Sequence, residues 1–529
     1  MPDPTNLTSV KKSAVFRLKG LKDRLIYPNE NFTPESSSEV NNMDFSERNI
    51  AATRRGKSKF NTTVIPSTEP VNGFGQFPFI AGSQKVFTTP DKVYTDNGTT
   101  RKDITGSLSF SGTIDDHVSM AFIDDKVVCT NGVDQPYQWA GDFATPTAAA
   151  AMTFASDSTD FDTAEAFIEH RNALVVLAPT ISGVKKTTRI LWCDVNTRDF
   201  TVDITRFLNN NRYEIGGLSS QPIIGGVDAW DKLWVMKADG VYPGRLEYRT
   251  GHIEYVPDEE VGALRGFHPI APSTFIARPD FIFGLAREGA FIIRPDGQYA
   301  IVTKDILFQD TFNLDRLQYA VATTRDKDHQ VRVLISSSAN STGHDKILVW
   351  DWETGDIGIE DYTDVKLSWI GQYFASGVEK DLHASFALGF MYNANTGSDD
   401  DGPNITWHIQ TAPNDLGFPG VDKTIHSIVT YYRDAGDGIQ SVDLTLLRDE
   451  EQRTPKTKTI SIGTSFQYNE DHLYDSGVVY KGSGNSKHRW GVNRTASSIQ
   501  VRWSGSSVVK LVGYQVFFTI DDTDANTPA

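Results

Sequence analysis

The chain alternates short apolar runs with turn-forming residues, and it rarely repeats apolar residues at the 3.6-residue spacing of a helix. Runs rich in Val, Ile, Phe and Trp end at Asn-Gly, Asp-Gly and similar pairs, which favour the positive φ angles of tight hairpins. The best helix candidate is Asp162–His170. The overall pattern predicts an all-β chain, with five turns at Asp96–Gly98, Thr130–Gly132, Ala238–Gly240, Pro295–Gly297 and Glu353–Asp356.

The apolar runs also recur at a regular interval. Blades of a β-propeller have up to four short strands and repeat at about 40 to 55 residues, because each blade buries its faces against its neighbours. A short unit at Phe77–Thr95 precedes the longer ones. We therefore predict a β-propeller of six to eight blades over residues 61–415. The longer units, 50 to 59 residues apart, centre near Phe122, Leu174, Leu233, Phe283, Val333 and Phe386.

Other kinds of sequence flank this repeat. Residues 1–60 are polar with few strand signals, and they predict an extended N-terminal arm. After the polar loop Gly397–Pro403, five strand-like runs separated by charged or Gly/Ser turns predict a C-terminal β-sandwich over residues 416–520. Residues 521–529 predict a frayed acidic tail. The five runs are Thr424–Thr430, Ser441–Leu447, Thr457–Gly463, Ser498–Trp503 and Val508–Thr519.

Charge and cysteine content narrow the class of protein. The 529 residues include 51 Lys and Arg against 68 Asp and Glu, a net charge of −17, whereas proteins that coat DNA are basic. The longest apolar runs stop near seven residues, far short of the roughly 20 of a membrane span, and no secretory signal pattern is found. Cys129 and Cys193 are too few for a disulfide framework. We expect them to be buried thiols of a protein made in a reducing cytoplasm.

A search for catalytic and metal-binding motifs finds none of the usual patterns, including G-x-S-x-G, H-E-x-x-H, the P-loop and Cys/His metal spacings. The sequence therefore predicts no enzyme and no cofactor. Asp115-Asp116-His117 is expected to be a surface turn, and Asp399–Asp401 a solvated loop with a weak calcium site as the alternative. One basic cluster is a candidate contact to another subunit or to DNA, and its members are Arg48, Arg54, Arg55, Lys57 and Lys59.

Several stretches follow one another in an order typical of a known family. The segment Gly112–Trp139 contains S-M-A, T-N-G and P-Y-Q-W in succession, and Phe167–Phe200 opens with F-I-E-H-R-N-A-L. These stretches, together with Asn42–Asn61, resemble the tail nozzle, or DNA-stabilisation, proteins of short-tailed bacteriophages. Lys346–Tyr362 and Gly417–Lys423 are also similar to them, although Ile357 stands where the family pattern has Trp. The residues that carry the resemblance most closely are Met120, Asn131, Gly132, Trp139, His170 and Arg171.

The resemblance implies a structural role in the virion tail. Such nozzle proteins form a ring, usually six-fold, below the head-to-tail adaptor, where they continue the DNA channel, retain the genome and carry fibre or spike contacts. The implied partners are further copies of the chain, the adaptor or a portal-proximal ring, tail fibres or spikes, and genomic double-stranded DNA in transit. A hexamer would carry on the order of −100 charges, and an acidic channel wall repels phosphate. The alternatives are a propeller-type glycan-binding or glycan-cleaving tailspike and a protein-binding propeller scaffold.

Overall fold

Short runs of β-branched and aromatic residues form strands over most of the chain, which confirms the all-β prediction. The structure is a computed structural model, and in the part that it describes the single α-helix is α1 (Phe308–Thr311). Short 3₁₀ turns lie at Pro66–Thr68, Pro272–Thr274, Leu314–Tyr319 and Asp326–Asp328. No helix in this part of the chain is long and apolar enough to traverse a bilayer. The described residues are 11–19, 37–45, 50–80, 82–141, 143–144, 146–196, 198–216, 221–249, 252–340, 342–433, 440–449, 453–462 and 486–520.

Five strands precede the propeller repeat along the chain. They are β1 (Lys11–Arg17), β2 (Ser37–Asn41), β3 (Met43–Asp44), β4 (Ala51–Thr53) and β5 (Lys57–Lys59).

Antiparallel sheets, the blades, then follow one another. Blade 1 contains β6 (Gly73–Phe79), β7 (Gly82–Thr88), β8 (Val93–Asp96) and β9 (Arg101–Asp103). Blade 2 contains β10 (Ser119–Ile123), β11 (Lys126–Thr130), β12 (Tyr137–Trp139) and β13 (Ala150–Ala151). Blade 3 contains β14 (Ala166–His170), β15 (Ala173–Leu177), β18 (Arg189–Trp192) and β21 (Arg212–Glu214). Two small hairpins interrupt blade 3, namely β16 (Thr180–Ile181) with β17 (Val184–Lys185) and β19 (Asp194–Val195) with β20 (Val202–Asp203).

The remaining blades have the same plan. Blade 4 contains β22 (Ile223–Ala229), β23 (Lys232–Lys237), β24 (Gly240–Arg249) and β25 (His252–Pro257), and β26 (Leu264–Arg265) also pairs with β24. Blade 5 contains β27 (Ile276–Ala277), β28 (Ile282–Ala286), β29 (Gly289–Ile293) and β30 (Tyr299–Ile301). Blade 6 contains β31 (Val321–Arg325), β32 (Gln330–Ile335), β33 (Lys346–Asp351) and β34 (Ile357–Asp361). Blade 7 contains β35 (Leu367–Ala375), β36 (Val378–Ser385), β37 (Met391–Ala394) and, as its fourth strand, β5.

The seven blades close into a ring. The first strand of each blade packs against the first strand of the next, and β35 of blade 7 packs against β6 of blade 1. The prediction of a propeller with six to eight blades is therefore confirmed, and the described strands set the number at seven. Blade 7 is completed by the start of the chain, because Ser58 of β5 pairs with Asn393 of β37.

A β-sandwich follows the propeller, as predicted, but it begins at Trp407 and not at the predicted residue 416. Its strands from the second half of the chain are β38 (Trp407–Thr411), β39 (Lys423–Arg433), β40 (Gln440–Arg448), β41 (Arg453–Ile462), β42 (Ser486–Ala496), β43 (Ile499–Gly505) and β44 (Lys510–Ile520). One sheet has the order β3-β4-β44-β39-β42, with β1 also paired to β44, and the other has the order β2-β38-β43-β40-β41. Trp407, Trp490 and Trp503 are fully buried in the core of the sandwich, which is continuous with apolar residues of blades 5 and 6.

The N-terminal segment that was predicted as an extended arm is extended in its described parts. These parts pair within the chain: β1 and β4 pair with β44, β2 pairs with β38, and β5 pairs with β37. The chain start thus contributes to both sandwich sheets and to the propeller. The predicted acidic tail, residues 521–529, lies outside the described residues.

The helix candidate Asp162–His170 is wrong, because Ala166–His170 is β14, the inner strand of blade 3. Phe167 and His170 are buried there, and Phe167 pairs with Val176 of β15. A strand covered on both faces loses the alternation of polar and apolar residues that identifies a half-buried strand. The spacing of the apolar residues in this segment therefore resembled that of a short helix.

The five turns predicted from Gly-containing pairs each join consecutive strands of one blade. The glycine in each of them has a positive φ, which L-residues with side chains adopt only at a cost. The φ angles are 91° at Gly98, 77° at Gly132, 145° at Gly240, 82° at Gly297 and 76° at Gly355.

Gly132 offers a clean test of this turn chemistry, because a Cβ there would meet no atom closer than the Ala164 carbonyl oxygen at 3.9 Å. We expect Gly132→Val to lower the free energy of unfolding by about 1 kcal/mol or more through backbone strain alone. Gly132→Asn should cost less, because Asn tolerates the left-handed conformation. Urea unfolding of both variants measures the difference. An unchanged stability of the Val variant would contradict the turn assignment.

Candidate functional site

His170 and Arg171, two residues that carry the family resemblance, join blade 3 to blade 4. His170 is fully buried, and its Nε2 accepts a hydrogen bond from the Leu246 N–H at 3.1 Å, so Nδ1 carries the proton and donates to Asp228 at 2.6 Å. Arg171 forms a two-point ion pair with Asp231 and donates to the Leu246 carbonyl at 2.8 Å. These contacts hold the turn between β14 and β15 of blade 3 against blade 4.

Similar side-chain contacts link the later blades. The Trp230 Nε1–H in the first turn of blade 4 donates to the Pro279 carbonyl of blade 5 at 2.8 Å. Arg278 of blade 5 then pairs with Asp326 of blade 6. Because these turns lie between the first and second strands of their blades, they all lie at one face of the ring. The contacts tie neighbouring blades together at that face.

The other residues of the resemblance lie in blade 2 and serve its packing. Trp139 is fully buried and donates from Nε1 to the Thr147 carbonyl at 3.0 Å. Asn131, which precedes Gly132, accepts the backbone N–H of Asp134 at 2.8 Å and so stabilises the turn. Met120 is half-buried and lines the centre of the ring. The residues of blade 2 and the blade 3 pair therefore do not converge on one site.

The basic cluster is largely engaged within the chain. Arg54 is buried and forms a two-point ion pair with Asp400, at 2.9 Å from Nη1 and 2.5 Å from Nη2. Its Nε donates to Asn42 at 2.7 Å, and its guanidinium lies 4.5 Å from the ring centre of Tyr362. Arg54 is thus held by the chain itself in this structure.

The remaining members of the cluster differ in exposure. Lys57 is buried, with Nζ 5.0 Å from the ring centre of Tyr392, and burial lowers its pKa. Lys59 pairs with Asp401 at 3.3 Å, and the side chain of Arg55 is exposed. Arg48 lies outside the described residues. A contact of this cluster with another subunit or with DNA stays a prediction.

The loop Asp399–Asp401 packs on this N-terminal segment. Asp400 and Asp401 are ion-paired as above, and the Asp399 carbonyl accepts the Lys57 N–H at 3.0 Å. The loop was expected to be solvated, and Asp401 is exposed; the contacts also hold the loop to the strand that closes blade 7. Among the residues that the structure describes, no group of three or more His, Cys, Asp or Glu is arranged to hold a metal ion.

Arg54 belongs to a buried network of charged groups and one tyrosine, which we call the buried clasp (Arg54, Arg332, Glu360, Tyr362 and Asp400). Tyr362 donates to Glu360 at 3.1 Å, and Arg332 donates to the same carboxylate at 2.5 Å. The side chains of Arg332 and Glu360 are only 2% and 3% exposed. The clasp connects the N-terminal segment, blade 6 and the loop that follows blade 7.

The centre of the ring holds a cavity of about 610 Å³, within the size range of small-molecule sites. Every blade, or the loop that precedes it, contributes to the wall, which mixes aromatic, amide and carboxylate groups. We call this space the axial cavity. Its lining includes Phe74 and Phe77 of blade 1, Met120 of blade 2, Glu165 and Phe167 at blade 3, Gly226 of blade 4, Ser273 before blade 5, Tyr319 before blade 6 and Trp369 of blade 7.

The segment Asp115-Asp116-His117 is a turn, as predicted, but its half-buried side chains line the axial cavity. Asp115 accepts a hydrogen bond from Arg316 Nη2 at 2.9 Å, and His117 Nδ1 lies 2.9 Å from Ser273 Oγ. The His117 ring stands edge-on to Trp369 at 5.1 Å. These partners belong to blades 5, 6 and 7, so the turn reaches across the ring. Partners 156 to 252 residues away leave no local signal, which is why sequence reasoning missed this arrangement.

His117 and the nearby His344, whose Nε2 lies 2.8 Å from the Tyr319 carbonyl oxygen, predict a pH dependence. Burial lowers the pKa of His117 to about 4, with Arg316 acting in the same direction and Asp115 and Asp116 opposing. Burial, His117 and Arg316 lower the pKa of His344 to about 3. Both histidines are therefore neutral in the folded protein at pH values where the unfolded chain, with an ordinary pKa of 6.5, already binds protons.

The contribution of these two neutral histidines to the free energy of unfolding should accordingly be fully present above pH 6.5. It should fall as the pH drops toward 4, by up to about 1.4 kcal/mol per pH unit for each histidine. We expect His117→Gln to remove the contribution of one histidine to this slope, since about one proton fewer is taken up on unfolding. Urea unfolding of both proteins between pH 4 and 7 measures it. Parallel pH profiles would contradict the burial of a neutral His117.

Comparison with known proteins adds fold neighbours at low similarity. The Neurospora crassa Pan2 WD40 domain is 10% identical, and the alignment covers 66% of this chain and 98% of that domain, with a TM-score of 0.38. The AfRom2 CNH domain is 13% identical over 64% of this chain and 98% of its own, with a TM-score of 0.37. BBS1N, solved in complex with ARL6DN, is 9% identical over 66% and 99%, with a TM-score of 0.38. No protein-family model and no curated protein matches the chain.

Proposed function

We propose that this chain is a structural subunit of the tail of a short-tailed bacteriophage, assembled as a ring below the head-to-tail adaptor. The observation that carries the proposal is the role of the residues that resemble the nozzle family. His170 and Arg171 brace one blade on the next, and Trp139 fills the core of blade 2. Residues that hold the blades together and fill the core support a structural protein, whose function depends on a rigid shape.

The axial cavity bears on where DNA would pass. The Asp115–His117 turn crosses one end of it, and large side chains such as Trp369 line it. A space of about 610 Å³ between these side chains is too small for duplex DNA. In the proposed ring the channel therefore lies between subunits, and the propellers form its wall or its outer surface.

Charge supports the same arrangement. Residues 61–403 contain 28 Lys and Arg against 47 Asp and Glu, so the acidity of the chain is concentrated in the propeller. Like charges on the wall and on phosphate disfavour sticking of DNA and permit sliding. The implied fibre, spike and adaptor contacts follow from the family resemblance and are part of the proposal.

Negative-stain electron microscopy of the purified protein tests the ring. We expect closed rings, six-fold in the family arrangement, with a lumen wide enough for duplex DNA. A protein that stays monomeric at all concentrations and never enters phage particles would contradict the proposal.

A tailspike that binds or cleaves glycans is the second candidate, and the aromatic lining of the axial cavity is the observation that favours it. Trp369 and Tyr319 contribute aromatic rings to the wall, and Glu165, which pairs with Lys185, contributes a carboxylate. Glycan-array binding that is lost in Trp369→Ala, with hydrolysis lost in Glu165→Gln, would favour this reading over the scaffold. The scaffold predicts neither binding nor hydrolysis.

A further inference from the structure

Two edge strands at one side of the sandwich carry a strip of positive charge. In the described part of the chain, β41 pairs only with β40, and β42 pairs only with β39. The two strands approach each other at this side, where Lys456 of β41 donates to the Val492 carbonyl of β42 at 2.8 Å. We define the basic edge as Lys456, Lys458, Lys487, Arg489 and Arg494.

None of these five cations forms an ion pair with a carboxylate of the described residues. Lys458, Lys487, Arg489 and Arg494 are exposed, and the contacts of the two arginines are with neutral groups. Arg489 donates to Ser427 at 3.0 Å, and Arg494 donates to a backbone carbonyl at 3.3 Å. Burial and the charge of Lys458 lower the pKa of the neighbouring His488, as expected where positive charge is not neutralised.

This strip contrasts with the rest of the molecule. The stretch 453–510 contains nine Lys and Arg against three Asp and Glu, in a chain with a net charge of −17. The propeller of the same chain is strongly acidic, but it packs against the opposite edge of the sandwich, where β2 and β3 contact β34 of blade 6. The basic edge and the propeller, whose net charge is negative, therefore have opposite charge and lie at separate places on one subunit.

We infer that the basic edge binds the acidic propeller surface of a second copy of this chain. Two different complementary surfaces on one subunit form a head-to-tail contact, which closes into a ring when the rotation between subunits allows it. Opposite charges favour this partner and steer its approach. Nucleic acid is the less favoured partner, since the acidic propeller repels phosphate. The inference rests on the proposed ring and names the contact that would hold it.

The test is charge reversal at three exposed positions of the basic edge, Lys458→Glu, Lys487→Glu and Arg494→Glu in one variant. A matched control reverses three exposed cations of the propeller, Arg198→Glu, Arg287→Glu and Arg294→Glu, and changes the net charge equally. Sedimentation velocity at low and high salt measures self-association, and thermal melts check that both variants are folded. We expect the wild type and the control to associate at low salt and the basic-edge variant to associate at least about tenfold more weakly.

The other outcomes overturn the inference in distinguishable ways. Unchanged self-association of the basic-edge variant would remove this contact and leave the ring intact. A wild type that is monomeric at low salt would also overturn it, and the position of the chain in phage particles would then decide the proposed function separately. Binding of duplex DNA that the wild type shows and the basic-edge variant loses, with self-association unchanged, would assign the strip to nucleic acid.

Discussion

Replacing Arg332 with Met should lower the free energy of unfolding by about 3 to 5 kcal/mol. The Arg332 and Glu360 side chains are almost completely buried and meet at 2.5 Å, so removal of the cation leaves the buried Glu360 carboxylate without its ion-pair partner. Truncation of one partner of a buried ion pair costs more than the pair itself contributes. Urea unfolding of the variant at neutral pH measures the loss.

The double variant Arg332→Met with Glu360→Gln separates the lost charge from the lost packing. An amide has no net charge and still accepts a hydrogen bond from Tyr362, so we expect the double variant to regain most of the stability. Exposed pairs serve as controls, and Arg249→Met beside Glu254 should change stability by less than about 1 kcal/mol. A loss of that small size for Arg332→Met would contradict the buried clasp.

Deletion of residues 1–60 should lower the melting temperature by at least about 10 °C or prevent folding. The deletion removes β5 from blade 7 and the strands that pair with β44 and β38 in the sandwich. It also leaves Asp400 of the buried clasp without Arg54. Several exposed strand edges and a broken ion pair would result together.

Thermal melts of the deletion variant, with and without a synthetic peptide of residues 37–60, measure this effect. We expect the peptide to restore part of the melting temperature, because it supplies β2, β4, β5 and Arg54 in trans. A deletion variant with the melting temperature of the full chain would contradict the structural role of these strands.

The propeller could be predicted from local patterns in the sequence. Apart from β5 in blade 7, each blade is built from strands close in sequence, so the interval between apolar runs and the glycines with positive φ both follow from neighbouring residues. Five of the six predicted centres of the apolar runs lie in strands of successive blades, namely Phe122, Leu174, Leu233, Phe283 and Val333. The sixth, Phe386, lies directly after β36. The buried state of Cys129 and Cys193 is confirmed for the same reason, since both lie in or next to apolar runs.

Features that depend on distant partners could not be predicted in this way. The pairing of β1 with β44 joins residues that are about 500 positions apart, and polar residues in β5 gave no strand signal. Strand β42 was missed because it carries the exposed charges Lys487, Arg489 and Arg494, and only Trp490 and Val492 mark its buried face. Edge strands often carry such charges, which prevent unwanted pairing and here define the basic edge.

In the candidate site, too, the contacts between residues distant in sequence could not be predicted. Asp115 and His117 are polar residues in a turn, and nothing nearby indicates that Arg316, Ser273 and Trp369 meet them across the ring. Conversely, Arg54 and Lys57 form a conspicuous basic cluster in sequence, and their carboxylate and aromatic partners lie more than 300 residues away. Charge clusters in sequence therefore indicate charged contacts without indicating the partner.

Immunogold electron microscopy tests the central claim most directly, with an antibody against this chain and phage particles from a lysate that contains it. A tail subunit predicts label clustered at the tail, below the head, on intact particles. Particles without label, with the chain recovered only free in the lysate, would contradict a role in the virion.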